Sequence, residues 1–443
     1  MNFPTRHITF AAAMKFWLKL GFISFGGPAG QIAIMHRELV EQRRWISERR
    51  FLHALNYCMV LPGPEAQQLA TYLGWLMHGV WGGILAGALF VLPSLALLIG
   101  LSYAYVTFGD LPLIAGIFSG IKPAVVAIVV FAAWRIGTRT LRHPALIAVA
   151  LAAFIALFAF NVYFPLIILS AALIGMLLGR WLPAVFQSTS SHGAISGGST
   201  GAIIDDTTPT PPHARLVWSR LILTGCVGLG LWLGAMLILL GTVGVESALV
   251  DMGWFFTKAA LLTFGGAYAV LPYVYQGAVE QFQWLTAAQM IDGLALGEST
   301  PGPLIMVVAF VAYLGGVGKA VIAGSAFASG AVAACVVSFF TFLPSFIFIL
   351  VGGPLVESTR DDFKFTAPLT AITAAVVGVI ANLALFFAWH VFWPNATSVA
   401  VFAGGIQWLS VVIAIGATLA LIRFQINVIW VLLVCAVLGG LLS

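Results

Sequence analysis

The chain has very little charge. Asp, Glu, Lys and Arg make up 8% of its 443 residues, against 61% hydrophobic residues and a mean hydropathy of +1.05. A soluble domain is about one-quarter charged, so a water-exposed globular fold is excluded. Cysteine is scarce as well. Cys58, Cys226, Cys335 and Cys435 stand singly in apolar segments, without a CxxC pair or metal spacing, and read as small buried hydrophobes. The histidines form no HExxH, and there is no GxxxxGK[ST]. The signatures of a zinc hydrolase and a P-loop NTPase are therefore missing, and no cofactor or metal is expected. The net charge of +5 comes largely from loop arginines. It reports orientation in a bilayer rather than nucleic-acid binding. The N-terminal stretch is a poor signal peptide, because Lys15 and Lys19 interrupt its apolar run.

What the chain does have is a repeat. FWLKLGFISFGGP at 16–28 returns as FFTKAALLTFGGA at 255–267, which pairs Lys19 with Lys258 and Phe25-Gly26-Gly27 with Phe264-Gly265-Gly266. The same offset of 239 pairs Trp45 with Trp284 and Pro62-Gly63-Pro64 with Pro301-Gly302-Pro303. Further on, Leu92-Pro93-Ser94 matches Leu343-Pro344-Ser345 at an offset of 251. A tandem duplication follows. Both copies keep helix breakers inside apolar runs. A carrier needs such breaks and a lipid anchor does not.

Charge sets the topology. Arg37, Arg43, Arg44, Arg49 and Arg50 crowd one loop, and Arg135, Arg139 and Arg142 another; both read as cytoplasmic. Three apolar segments lie between them, so the segment split by Pro62-Gly63-Pro64 must enter and leave on one side, and the segment split at Gly26-Gly27 does the same by repeat logic. The loop equivalent to the first arginine cluster, 273–289, has no Lys or Arg. The second copy therefore reads as inverted, with an unpaired span at about 217–241 doing the inverting. Arg360 and Lys364 fall inside and Asn395 outside. The expected fold is an all-α integral membrane protein of tandem inverted-topology repeats with broken, re-entrant helices and about thirteen apolar segments. The first repeat covers 1–184, a flexible cytoplasmic linker 185–216, a connecting span 217–252 and the inverted repeat 253–443. The N-terminus is cytoplasmic and the C-terminus outside.

Ionisable groups at membrane depth cost at least ~2.5–3.5 kcal/mol each and are functional candidates. Lys19, Lys122 and Lys258 qualify, although Lys19 and Lys258 could equally snorkel to an interface. Glu65 and Glu298 flank the Pro-Gly-Pro breaks, as proton carriers or as acceptors for loose amides. Helices restarting at Gly26, Gly27 and Pro28, at Gly63 and Pro64, at Gly265 and Gly266, and at Gly302 aim free N–H groups inward. Gln67, Thr71, Ser299 and Thr300 add neutral polar groups. Together these favour an anion. The competing reading is that the glycines only let helices pack closely. A membrane-embedded enzyme would need a nucleophile with a base, or a metal set, and neither is evident. A structural subunit would not need mirrored breaks.

At these residues the sequence resembles the chromate transporter family, in its long two-repeat form. The resemblance rests on Phe25-Gly26-Gly27-Pro28, on Leu61-Pro62-Gly63-Pro64 with Gln67, on Thr263-Phe264-Gly265-Gly266, and on Gly297-Glu298-Ser299-Thr300-Pro301-Gly302-Pro303. It implies a non-enzymatic transporter in a bacterial-type inner membrane that exports chromate, conferring resistance, with sulfate as an analogue. Both copies in one chain let a monomer build a complete site; a homodimer is left open.

Overall fold

The computed structural model describes residues 8–25, 27–109, 111–181, 202–206, 208–358, 366–394 and 405–442. Gly26, Arg360, Lys364, Asn395 and the linker residues 185–201 lie outside the described residues. The first half holds α1 Phe10–Ile23, α2 Gly27–His36, α3 Glu48–Val60, α4 Glu65–Phe108, α5 Pro112–Thr140, α6 Pro144–Phe160 and α7 Phe164–Trp181. A single helix, α8 Trp218–Val243, leads to the second half. There α9 Ala248–Leu261, α10 Ala267–Tyr275, α11 Ala287–Ser299, α12 Val307–Gly318, α13 Ala326–Ser358, α14 Thr366–Phe392, α15 Trp408–Ile422 and α16 Val428–Leu442 follow. Six of these helices are long and apolar enough to cross a membrane, and shorter apolar helices accompany them. The protein is an all-α membrane protein.

The halves match in backbone even where side chains differ. α2 and α10 each run into one π-helical turn, Arg37–Gln42 and Gln276–Gln281, at the 239-residue offset. Two residues on, Arg44 and Gln283 both adopt a left-handed conformation, with φ of 51° and 52°. α3 and α11 keep the same offset.

Each broken segment doubles back. Phe16 of α1 packs on Trp45 beyond α2, at 6.0 Å between ring centroids, and Arg43 lies over both rings. In the second half, Phe255 and Trp284 repeat the contact at 5.6 Å. α4 is not one rod. Its helix reverses at His78 and Gly79, where Gly79 has φ of 68°. Residues 65–77 then lie antiparallel to 80–108. Gly74 packs so closely on the later arm that a methyl group there would sit 2.5 Å from the Gly82 carbonyl oxygen. The counterpart is a hairpin of α12 and α13, where a methyl on Gly316 would sit 2.5 Å from the Ser329 carbonyl oxygen.

The second part of the linker, expected to be flexible, is held. The Ile203 and Ile204 N–H groups donate to the carbonyls of Arg44 and Trp45 at 3.0 and 2.9 Å, and Ser47 N–H donates to Ile204 O at 3.0 Å. Arg50 donates to the Thr208 carbonyl at 2.6 Å, and His213 Nε2 lies 2.9 Å from the Trp75 carbonyl, close to the α4 reversal. These residues lie just before α8. The equivalent loop of the second half, Gln281, Phe282 and Trp284, shares an open recess with Val243–Asp251, just after α8. α8 has 26 residues and is about 39 Å long at 1.5 Å each, with one loop joined ahead of its start and the other beyond its end.

Cysteines placed at the exposed positions Arg44 and Gln283, in a background lacking the native cysteines, should react with an impermeant maleimide from opposite faces of a sealed vesicle. Labelling of both from one face would mean that the halves run parallel.

Candidate functional site

The breaks of one half are bonded to the breaks of the other. Gly63 N–H donates to the Thr263 carbonyl at 2.7 Å, and Gly302 N–H donates to the Ser24 carbonyl at 2.9 Å. Ser24 and Thr263 are repeat partners, as are Gly63 and Gly302. One bond is therefore made twice, reciprocally, as across a twofold dimer interface. The local sequence explains the geometry. Prolines on either side of each glycine remove two N–H donors and stop the preceding helix. Gly63 and Gly302 themselves take φ of 130° and 109°, a region other residues avoid.

Side chains follow the same crossing. Gly63 packs against Ser345, and Gly302 against Ser94, the two serines of the repeated Leu-Pro-Ser. Gln68 donates to the Pro62 carbonyl at 2.8 Å and to Ser345 Oγ at 3.4 Å. Gln31 donates to the Gly302 carbonyl at 2.6 Å and to the Ser24 carbonyl at 3.4 Å. Gln67 Nε2 donates to Thr71 Oγ1 at 3.0 Å, and that hydroxyl donates to the Gln67 carbonyl at 2.9 Å.

These groups are almost fully buried: Gln67, Gln68, Thr71 and Ser345 at 0%, Gln31 and Ser94 at 1% exposure. Yet among the described residues Oε1 of Gln31, Gln67 and Gln68 and Oγ of Ser94 have no hydrogen-bond partner. Buried polar atoms are rarely left so, and each calls for an explanation. The Gln31 and Gln68 NH₂ groups are held by carbonyls, but Gln67 NH₂ faces the Thr71 hydroxyl, so its amide can rotate to turn NH₂ outward, and the Ser94 hydroxyl can donate as it stands. The first-turn amides of α4, beside Gln67 and Gln68, have no partner within the helix. The lining is one-sided, because Gln67, Gln68 and Thr71 correspond to Met306, Val307 and Phe310.

The remaining candidates divide. Gly27, Gly265 and Gly266 form the first break of each half, with φ of 68°, 77° and 99°, and Pro28 sits in the first turn of α2. Pro64 caps α4, and Glu65 opens it, half-buried. Glu298 is 7% exposed and accepts a hydrogen bond from the Tyr268 hydroxyl. Ser299 and Thr300 hydroxyls donate to the carbonyls of Leu296 and Gly297 at 3.0 and 3.1 Å, capping their own helix rather than facing a guest.

The lysines are corrected most. The structure does not bring Lys19, Lys122 and Lys258 together. Lys19 has a 54% exposed side chain and pairs with Glu38 at 3.4 Å. Lys258 is exposed on α9. Lys122 pairs with Asp292 at 3.6 Å. A long ammonium side chain gains more from reaching a carboxylate or an interface than from standing unpaired among helices. The Gly63 and Gly302 amides, expected to be free, are used by the crossed bonds. Asp292 is a further buried acid, 3% exposed and also bonded to the Tyr105 hydroxyl at 2.8 Å; sequence reading passed over it. Its signal was a carboxylate inside the apolar run Met290–Leu296. Gln31 had no signal, since its repeat partner is Val270.

Broken helices from two like halves, meeting at a buried polar cluster in a multi-pass membrane protein, fit the carrier type. The chain belongs to the chromate transporter family, whose profile matches residues 11–176 and 250–440. Members of this family are transport proteins, not enzymes. The chain is 32% identical over 400 residues to a chromate transport protein of Pseudomonas aeruginosa, covering 89% of this chain and 85% of the relative. It is 28% identical over 385 residues to a chromate transport protein of Cupriavidus metallidurans, covering 86% and 83%. It is also 28% identical over 368 residues to a probable chromate transport protein of Synechococcus elongatus, covering 83% and 82%. No solved structure matches the chain.

Gly302→Ala should lower the melting temperature in detergent, since a methyl group there would lie 2.5 Å from Ser94 Cβ. Adding Ser94→Gly should recover the steric part and leave about 1–3 kcal/mol of backbone strain. Lys122→Ala should destabilise the fold by a few kcal/mol by stranding Asp292, and Asp292→Asn in the same chain should recover most of that loss. A Lys122→Ala protein as stable as the parent would show that the pair contributes nothing.

Proposed function

We propose that the chain carries chromate, a tetrahedral dianion of sulfate-like shape, out of the cytoplasm through the cluster where the helix breaks cross. The observation that carries this reading is the set of unpartnered groups on Gln31, Gln67, Gln68 and Ser94 beside the reciprocal Gly63–Thr263 and Gly302–Ser24 bonds, in a chain of the chromate transporter family. Four acceptor oxygens of one dianion suit several neutral donors and helix-start amides, which bind without a bidentate fork. The relatives named chromate transport proteins support the choice of anion. Sulfate is the second reading, because the same donors fit either oxyanion.

The halves are inverted repeats. The equivalent loops at Trp45 and Trp284 near opposite ends of α8 support this. The arginine-rich loop faces the cytoplasm, as do the N-terminus and the linker, and the C-terminus lies outside. Outward movement of a dianion then runs with the membrane potential. Each charge gains ~2.3 kcal/mol per 100 mV, so two gain about 4.6 kcal/mol. Glu298 and Glu65 are the places where a proton could join the cycle. Glu298, held by Tyr268, is the better enclosed.

Proteoliposomes with an imposed potential and no pH gradient should move chromate toward the positive side, with sulfate competing. Gln67→Leu should reduce the flux at least about tenfold, the effect of ~1.4 kcal/mol, while the protein still inserts. No chromate flux in either direction would remove this function. Glu298→Gln should flatten the pH profile of transport if protons are coupled, and an unchanged profile assigns Glu298 to structure.

A further inference from the structure

Two ionic clusters lie away from the polar cluster, and both join the halves. In the first, Arg50, near the start of α3, lies 3.8 Å from Glu357, near the end of α13. Both are 8% exposed. Tyr72 of α4 donates its hydroxyl to Glu357 at 2.6 Å, and Arg50 also holds the Thr208 carbonyl. Arg50 Nη1 makes no hydrogen bond. A cavity of about 70 Å³ opens here between Arg49, Arg50, His53, Asp206 and Glu357. In the second cluster, Asp292 of α11 meets Lys122 of α5 and Tyr105 near the end of α4.

The repeat relates the two places. Asp292 corresponds to His53, one turn from Arg50 and in the same cavity lining as Arg50 and Glu357. Tyr105 corresponds at the 251 offset to Val356, the neighbour of Glu357. Each cluster therefore ties the re-entrant helix of one half, α3 or α11, to the long helix of the other, α13 or α4. α3 and α11 are also the helices that end at Pro62-Gly63-Pro64 and Pro301-Gly302-Pro303. Both ties are a cation, a carboxylate and a tyrosine hydroxyl, built at positions that the repeat does not pair, so the chemistry recurs without the residues.

We infer that Arg50–Glu357 and Lys122–Asp292 are a pair of gate residues for transport, the first controlling access to the polar cluster from the arginine-loop face and the second from the opposite face. This rests on the inverted-repeat reading of transport given above. Both pairs are formed in the structure. Opening one face requires α3 to part from α13, or α11 from α4 and α5, and each parting breaks one ion pair while the other stays made. Two alternatives that differ by which pair is broken are what a carrier needs to expose one site to two sides in turn. Neither pair is at the crossed breaks, so each acts by positioning helices rather than by touching the guest.

The test reads sidedness and needs no substrate, so it stands apart from the flux assay. Cysteines are placed singly at Ser94 and Ser345 in a background lacking the native cysteines, and alkylation by an impermeant maleimide is followed from each face of sealed vesicles. Glu357→Gln should raise the rate about tenfold from the arginine-loop face only. Asp292→Asn should raise it comparably from the other face only. The exchanged pair Arg50→Glu with Glu357→Arg should return the rate to that of the parent. Equal acceleration from both faces, or none from either, overturns the inference. If the exchanged pair does not insert, the opposite-face response of Asp292→Asn still decides it. Altered sidedness without chromate flux would leave the gates and remove only the substrate.

Discussion

Backbone polarity in an apolar medium is the constraint from which the architecture follows. Where a helix stops inside a membrane protein, its amides and carbonyls have no water to turn to, and each one left alone costs several kcal/mol. Here the halves solve it for each other at the two Pro-Gly-Pro breaks. Gly63 needs Thr263, and Gly302 needs Ser24. Because the bond is reciprocal, the contact between the halves is specified by backbone as well as by side-chain packing. The glycines and prolines that interrupt the helices place their loose groups where the other copy's loose groups are.

That constraint also explains how the polar cluster tolerates its own incompleteness. The crossed bonds satisfy the backbone, which leaves Gln31, Gln67, Gln68 and Ser94 with spare capacity while the frame stays intact. The glutamines come from one half, and the equivalent positions of the other are Val270, Met306 and Val307. A symmetric frame thus holds an asymmetric lining. The wall of apolar residues excludes water and lets a few neutral donors act strongly.

Much of the frame was legible in the sequence, because breaks and repeats are written in glycine, proline and a constant offset. The doubling back expected of the segment at Pro62-Gly63-Pro64 came from counting arginine loops. The reversal at His78–Gly79 was hidden, since the apolar pattern runs straight through it; only the spacing of Gly74, Gly82, Gly83 and Gly87 hinted at two arms in contact. The site was less legible. A lysine in an apolar run looks like a buried ligand until its partner is known; Glu38 is a partner that no local pattern announces, and Asp292 shows only as a carboxylate in an apolar run. The cluster itself uses glutamine and serine, which carry no charge and raise no alarm in a hydropathy reading.

The crossed bonds carry a consequence for how the chain is made. During synthesis Gly63 enters the bilayer two hundred residues before Thr263, its acceptor, exists. The first half must therefore wait in the membrane with a bare amide until the second arrives. Ser24 waits longer still for Gly302. Severed at the linker, the two halves would be obligate partners, each the other's missing acceptor.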